Sequence, residues 1–316
     1  MKIKNKNLRI IRSHSDLVSA IVGAVNSANL KEAETLARQM IALDDKSSFG
    51  WKSLGVIQKK NKFYDDALTS MIQASLLDPN DSEIYLNKGI ILKELNRAPE
   101  AMDNLLKALK IKPNFAEAHN AMGNLYEQNF QYELAIQSYK KYLEIKPDCF
   151  LGLNNLGKVL TDISAFEEAE YCLLLSAIKN PQSAETHNNL GVLYESLGRL
   201  IDAEQSYIRA LDLAPNFSEA LNNLGALSNS FGKLVRAEQL FLKALESNAN
   251  HAETYNNLGN CLKEMARFTE SINCFQKAIT LKPSLAPIHN NLGVVLKDLG
   301  KLDEAEISYR RALELA

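Results

Sequence analysis

Eight glycines stand 34 residues apart: Gly55, Gly89, Gly123, Gly157, Gly191, Gly225, Gly259 and Gly293. No insertion or deletion disturbs the interval. A fixed period of this length marks a chain made by stacking one small unit, in which each copy buries its apolar face only against its neighbours. With the glycine as position 8, position 20 holds Ala67, Ala101, Ala135, Ala169, Ala203, Ala237 and Ala305, with Ser271 as the small exception. Position 32 holds Pro79, Pro113, Pro147, Pro181, Pro215 and Pro283, and Ala249 replaces it once. The other two prolines, Pro99 and Pro287, fall at expected helix starts, where a missing N–H costs little.

Each unit reads as two helices. Positions 4, 7, 8 and 11 repeat at helical spacing, as in His187, Leu190, Gly191 and Tyr194, and positions 20, 24 and 27 make a second stripe. Gly198, Gly232 and Gly300 at position 15 predict a left-handed residue ending the first helix, and the proline at 32 closes the second. Small residues at 8 and 20 let the two helices approach closely. Nothing in the chain alternates as a strand would, so the fold class is all-α.

These columns resemble the tetratricopeptide repeat. The resemblance covers 48–316 as eight 34-residue units, the last one truncated, in one continuous solenoid. Residues 14–47 read as a degenerate unit, with Ala33 at position 20 but Ile21 in place of glycine, and 1–13 form a basic tail carrying Lys2, Lys4, Lys6, Arg9 and Arg12. The resemblance implies a right-handed superhelix whose first helices line a concave groove.

Within that frame the motif His187-Asn188-Asn189-Leu190-Gly191 stands out, because asparagine is a poor helix former. Position 5 carries Asn120, Asn154, Asn188, Asn222, Asn256 and Asn290; position 6 carries Asn87, Asn155, Asn189, Asn223, Asn257 and Asn291. At about 100° per residue these positions, with 2, 9 and 13, lie opposite the stripe of 4, 7, 8 and 11. Twelve asparagines in helix interiors cost roughly 6–8 kcal/mol relative to alanine. A side-chain amide offers two donors and two acceptor lone pairs, the complement of an extended peptide backbone. The competing account is that the amides bond one another or neighbouring helices. On the peptide reading, replacing Asn189, Asn223 and Asn257 by alanine leaves stability unchanged or raises it, since alanine is the better helix former. The doublet resembles the repeat region of O-linked N-acetylglucosamine transferases, where an asparagine ladder is implied to hold the backbone of protein substrates. Ser53 and Ala121 interrupt the column, so the grip is expected to be continuous from Asn155 to Asn291.

Repeat proteins of the chaperone-binding kind clamp a terminal carboxylate with basic residues. Lys52 and Asn87 match fragments of that set, but Val56, Glu117 and Ala121 break it. The position-2 column is mostly acidic instead, with Glu83, Glu117, Glu185, Glu219 and Glu253, while Lys59, Lys60, Lys93, Lys263 and Lys297 occupy positions 12 and 13. The expected groove therefore has an amide floor and charged margins of both signs.

Catalytic chemistry finds no motif: there is no phosphate-cradling loop, no G-x-S-x-G and no H-E-x-x-H. His119, His187 and His289 share position 4 with Trp51, Tyr85, Leu153, Leu221 and Tyr255 and read as framework residues. Cys149, Cys172, Cys261 and Cys274 form no C-x-x-C pair and read as free thiols, so neither metal nor cofactor is expected. A net charge of −2 with one short basic tail argues against nucleic acid. No apolar run suits a membrane or a signal peptide, which makes the cytoplasm the default location.

The sequence thus predicts a non-catalytic scaffold that binds extended peptides or disordered protein segments along its asparagines. A second reading is the substrate-recognition region of an O-GlcNAc-type glycosyltransferase; a third is a self-assembling scaffold. Leu313 and Leu315 match Leu211 and Leu213, which a following unit can cover, so the polypeptide is expected to continue past Ala316 or to pair with another molecule there.

Overall fold

The computed structural model describes residues 14–315; the basic tail 1–13 and Ala316 lie outside the described residues. Within that range the chain is a succession of helix pairs, and no strand occurs. First helices have thirteen residues and second helices fourteen, a regularity set by the 34-residue period. The chain divides into two compact units, Met1–Asp148 and Cys149–Ala316.

The first unit contains α1 (His14–Asn26), α2 (Leu30–Leu43), α3 (Ser48–Lys60), α4 (Tyr64–Leu77), α5 (Ser82–Glu94), α6 (Ala98–Ile111), α7 (Ala116–Gln128) and α8 (Tyr132–Ile145). The second contains α9 (Phe150–Asp162), α10 (Phe166–Lys179), α11 (Ala184–Ser196), α12 (Leu200–Leu213), α13 (Ser218–Ser230), α14 (Leu234–Ser247), α15 (Ala252–Glu264), α16 (Phe268–Leu281), α17 (Ala286–Asp298) and α18 (Leu302–Leu315).

Every first helix ends the same way. In α11 the N–H of Gly198 donates to Glu195 O at 2.9 Å and that of Arg199 to Tyr194 O at 2.8 Å, the paired bonds of a Schellman motif. Gly198, Gly232 and Gly300 take φ of +74°, +71° and +74°. The left-handed conformation extends well beyond the glycines: Lys62, Asn96, Phe130, Ser164 and Ala266 adopt it at the same position with φ between 57° and 63°, as does Ala28 between α1 and α2. The hydrogen-bonded turn thus imposes this geometry on side chains that ordinarily avoid it.

Packing of the two helices explains the period. A Cβ built at Gly191 would stand 2.4 Å from Tyr207 Cε1, and one at Gly225 2.7 Å from Phe241 Cε1. The glycine is therefore a socket for the large residue at position 24. Tyr207, Phe241 and Phe275 are buried as a result, and the alanines Ala203 and Ala237 at position 20 are wholly enclosed. In the last pair Tyr309 fills the socket of Gly293 and Ala312 is buried, while Leu313 stands exposed and Leu315 half-buried.

The first helices are buried over a wider arc than the sequence stripe predicts. Position 10 (Ile57, Ile91, Leu125, Val159, Leu193, Leu227, Cys261 and Val295) and position 3 (Ile84, Ala118, Thr186, Ala220, Thr254 and Ile288) are enclosed as completely as the core of the stripe. Within each unit a first helix contacts its own second helix, the preceding second helix and the neighbouring first helices. Surrounded in this way it has little free circumference. Successive repeats are also tied by position 4: Nε2 of His187 bonds Pro181 O at 3.1 Å, Nε2 of His289 bonds Pro283 O at 2.9 Å, and Trp51 Nε1 donates to Asp45 O at 2.9 Å. A carbonyl only accepts, so each ring nitrogen carries the proton. Histidine and tryptophan share this column because both place an N–H there.

Candidate functional site

In the second unit the asparagine columns meet where first helices touch, α9 with α11, α11 with α13, α13 with α15 and α15 with α17. From α11 onward the position-6 amide donates backwards to the position-5 amide of the preceding repeat. Asn189 Nδ2 reaches Asn154 Oδ1 at 3.0 Å, Asn223 reaches Asn188 at 3.0 Å, Asn257 reaches Asn222 at 3.1 Å and Asn291 reaches Asn256 at 2.9 Å. The result is a ladder of amide–amide hydrogen bonds repeating every 34 residues.

Burial differs along both columns. Asn154, Asn188 and Asn222 are 1%, 6% and 3% exposed, and Asn189 is 8% exposed. Asn155, Asn223, Asn256, Asn257 and Asn291 are half-buried, and Asn290 is exposed. At position 5 the next first helix packs over Asn154, Asn188 and Asn222, whereas Asn256 keeps partial exposure and Asn290, in the last first helix, is open. In the first unit Asn120 is half-buried, and so is Asn87, whose Nδ2 donates to Glu83 O at 2.9 Å while its Oδ1 accepts from Lys59 Nζ at 2.6 Å. Burial, with Lys60 nearby, holds the Lys59 ammonium below its ordinary pKa.

The bonds change the energetics predicted from helix propensity. Removing a position-6 amide strands a buried acceptor on the preceding repeat, which costs about 1–3 kcal/mol and outweighs the gain of about 0.5–0.7 kcal/mol from alanine. With these bonds the expected effect of alanine at Asn189, Asn223 and Asn257 becomes destabilising, where helix propensity alone predicts none or a gain.

Two clefts open on this face of the second unit. The larger, 720 Å³, has Ala184, Ala214, Pro215 and Phe217 as apolar lining beside Asn188 and Asn189. The smaller, 180 Å³, shares Lys158, Asn188, Asn189 and Glu219 with it and adds Asn222, Asn223 and Glu253. A third cleft, 160 Å³, lies in the first unit between Ile21, Phe49, Val56 and Asn87. Lys52 also lines that cleft but bonds Asp81 at 2.8 Å and Glu83 at 3.0 Å. Burial opposes its charge, and the two carboxylates more than compensate, raising its pKa. It is not a lysine awaiting a terminal carboxylate.

Sequence reasoning missed the residues that complete the ladder. Thr254 Oγ1 lies 3.1 Å from Asn222 Oδ1 and 2.6 Å from His251 Nδ1, so the hydroxyl donates to the amide and the imidazole donates to the hydroxyl. Threonine also stands at position 3 in Thr186, bonded to Ser183 and Ser176, and that recurrence was the available signal. Among the described residues no group of histidine, cysteine and carboxylate side chains is placed to hold a metal, and no helix is long and apolar enough to cross a membrane. None of the four cysteines is in a disulfide, and burial pushes the Cys261 and Cys274 thiols up to about 11.

Comparison with known proteins gives the same register. A family model described as tetratricopeptide repeat matches residues 116–149, 184–217, 252–285 and 286–316, and one described as TPR repeat matches 91–129. Together they span half of the chain, and the first begins at the starts of α7, α11, α15 and α17. No curated protein matches the chain. Among solved structures, Pseudomonas aeruginosa pilF is similar over 64% of this chain and 92% of its own, with 22% identity and a TM-score of 0.54. The APC/C hetero-tetramer Cut9–Hcn1 is similar over 92% of this chain, with 17% identity and a TM-score of 0.70; this chain spans 57% of that one. At these identities the likeness is one of fold.

Proposed function

The chain is a tetratricopeptide-repeat protein, and from that premise we propose that it is a non-catalytic scaffold of the cytoplasm that binds extended or disordered protein segments along the position-6 asparagines. The observation that carries the reading is how each such amide is used. An amide has two N–H donors and two acceptor lone pairs. Asn189, Asn223, Asn257 and Asn291 each spend one N–H on the preceding repeat, and this bond fixes the side chain in place. The remaining capacity belongs to side chains already ordered, so a peptide backbone bonding to them meets a smaller entropic cost. Position 5 then orients and position 6 binds. The resemblance of the position-6 asparagines to the ladder in the repeat region of O-linked N-acetylglucosamine transferases favours the same binding role for position 6.

Fluorescence anisotropy with a labelled, uncharged, unstructured peptide tests this. Asn189→Ala/Asn223→Ala/Asn257→Ala is expected to lose affinity at least about tenfold, or ~1.4 kcal/mol. The matched variant Asn154→Ala/Asn188→Ala/Asn222→Ala breaks the same bonds from the buried side and is expected to lose less. Both are compared under conditions where circular dichroism shows them folded. Equal losses in the two variants would mean that only the ladder's integrity matters, and the reading fails.

A further inference from the structure

Position 2 carries glutamates in both units, alongside Phe49, Leu151 and Pro287 in the same column, but the acids meet different surroundings. In the first unit Glu83 is bridged by Lys52 at 3.0 Å and Glu117 by Lys146 at 2.5 Å. In the second unit Glu185, Glu219 and Glu253 are exposed and, among the described residues, form no salt bridge. Glu185 accepts only from the amide of Asn154 at 3.1 Å, and Glu219 from the hydroxyl of Ser218 at 3.0 Å. All three line the two clefts beside the ladder, as does Asp162, and Lys158 is the one lysine there. The lining of these two clefts therefore carries more acid than base, with Lys263 and Lys297 further along the row of first helices, and the apolar wall of Ala184, Pro215 and Phe217 lies at the larger opening.

The spacing narrows the partner further. First helices packed side by side lie about 8–10 Å apart, so successive acids on them recur at about that interval. A polyproline-II segment rises about 3.1 Å per residue with three residues per turn, which returns a side chain to the same face every ~9 Å. A β-strand does not fit, because its residues i and i+3 point to opposite faces. Aromatic and apolar walls are also the surfaces on which polyproline-II segments dock.

We propose that the face of residues 149–316 binds a cationic polyproline-II segment carrying lysine or arginine at every third residue, one each for Glu185, Glu219 and Glu253. This deepens the peptide-binding reading and rests on it. The amides hold the backbone irrespective of sequence, and the acids select the charge and its period. Basic proline-containing tails of other proteins are the chemical class that fits.

Four labelled peptides of matched length test the idea by anisotropy: Lys-Pro-Pro repeats, Glu-Pro-Pro repeats, Ser-Pro-Pro repeats, and one with the same number of lysines at every second residue. The Lys-Pro-Pro peptide is expected to bind about tenfold tighter than the serine peptide, a preference that declines with salt. It is also expected to bind more tightly than the alternate-lysine peptide. Glu185→Gln/Glu219→Gln/Glu253→Gln, all at exposed positions, is expected to keep the serine-peptide affinity and lose the preference. Three results overturn the inference: equal binding of lysine and serine peptides, equal binding of the two lysine spacings, or a preference that survives in the glutamine variant. If the serine peptide binds and the position-6 alanine variant weakens it while lysine adds nothing, the charge inference falls and the backbone reading stands. If no peptide binds, both fall.

Discussion

Asn257 Nδ2 donates to Asn222 Oδ1 at 3.1 Å, joining two first helices through residues 35 apart in sequence. Thr254 Oγ1 takes the other lone pair of the same oxygen at 3.1 Å. Asn222 is 3% exposed, so a buried acceptor is fully used by the next repeat. What holds these helices together is thus polar and directional, which fixes their register as apolar contact alone does not.

Asn257→Ala and Thr254→Val are each expected to cost about 1–3 kcal/mol by leaving one lone pair of Asn222 unpaired. In a double-mutant cycle between Asn222→Ala and Asn257→Ala, the coupling is expected to exceed ~0.5 kcal/mol. Denaturant titration measures both. Additive losses would show that the amide pair contributes nothing beyond packing.

Gly191→Ala is expected to be more damaging than Gly198→Ala. A methyl at Gly191 would stand 2.4 Å from the ring of Tyr207, a buried side chain whose hydroxyl donates to Glu195 at 2.9 Å and so cannot swing away freely. Nothing lies within 4 Å of a Cβ at Gly198, where only the φ of +74° resists substitution. Overpacking costs about 1–3 kcal/mol, whereas the left-handed penalty at the turn, about 1–2 kcal/mol, is partly offset by the lower freedom of alanine in the unfolded chain, about 0.4–1 kcal/mol. Equal losses in thermal or chemical unfolding would overturn the socket interpretation.

Ala266→Gly is expected to stabilise the chain. Ala266 holds φ of 59° in a turn that glycine fills elsewhere. Relief of the left-handed penalty, about 1–2 kcal/mol, exceeds the extra freedom glycine gives the unfolded chain, about 0.4–1 kcal/mol. The net gain is about 0.5–1 kcal/mol, read as a higher denaturant midpoint. A lower midpoint would show that the turn relaxes around alanine without strain.

Cys261 and Cys274 are expected to react slowly with thiol reagents. Burial raises each from 9.0 to about 11, so at pH 8 about a hundredfold less thiolate is present than for an ordinary cysteine. Labelling followed by peptide mass mapping should show both protected in the native protein and reactive after unfolding. Rapid native labelling of Cys261, which is wholly enclosed, would contradict the packing of α15, and half-buried Cys274 is expected to be the less protected of the two.

Much of the fold was legible because a repeat prints its own register. The spacing from Gly191 to Gly225 and the columns of Ala203 and Pro215 determine two helices, a turn between them and a close approach at position 8. The left-handed turn was legible at Gly198 but not at Phe130 or Lys62, because there the hydrogen bonds of the turn dictate the conformation and local preference is overridden. The burial of Ile57 and Leu193 at position 10 was likewise hidden, since a helical wheel drawn for one unit omits the helices that neighbouring units press against it.

The same omission governs the candidate site. The sequence by itself determined that asparagines recur at positions 5 and 6 of successive first helices and that glutamates recur at position 2. Only the tertiary structure decided that Asn154, Asn188 and Asn222 are buried and bonded, that Glu83 has Lys52, and that Glu219 and Glu253 have no basic partner among the described residues. The physical reason is that an amide pairs with whatever lies one helix away. That distance is set by the packing of repeats, to which residues 35 apart in sequence contribute and which no single unit encodes.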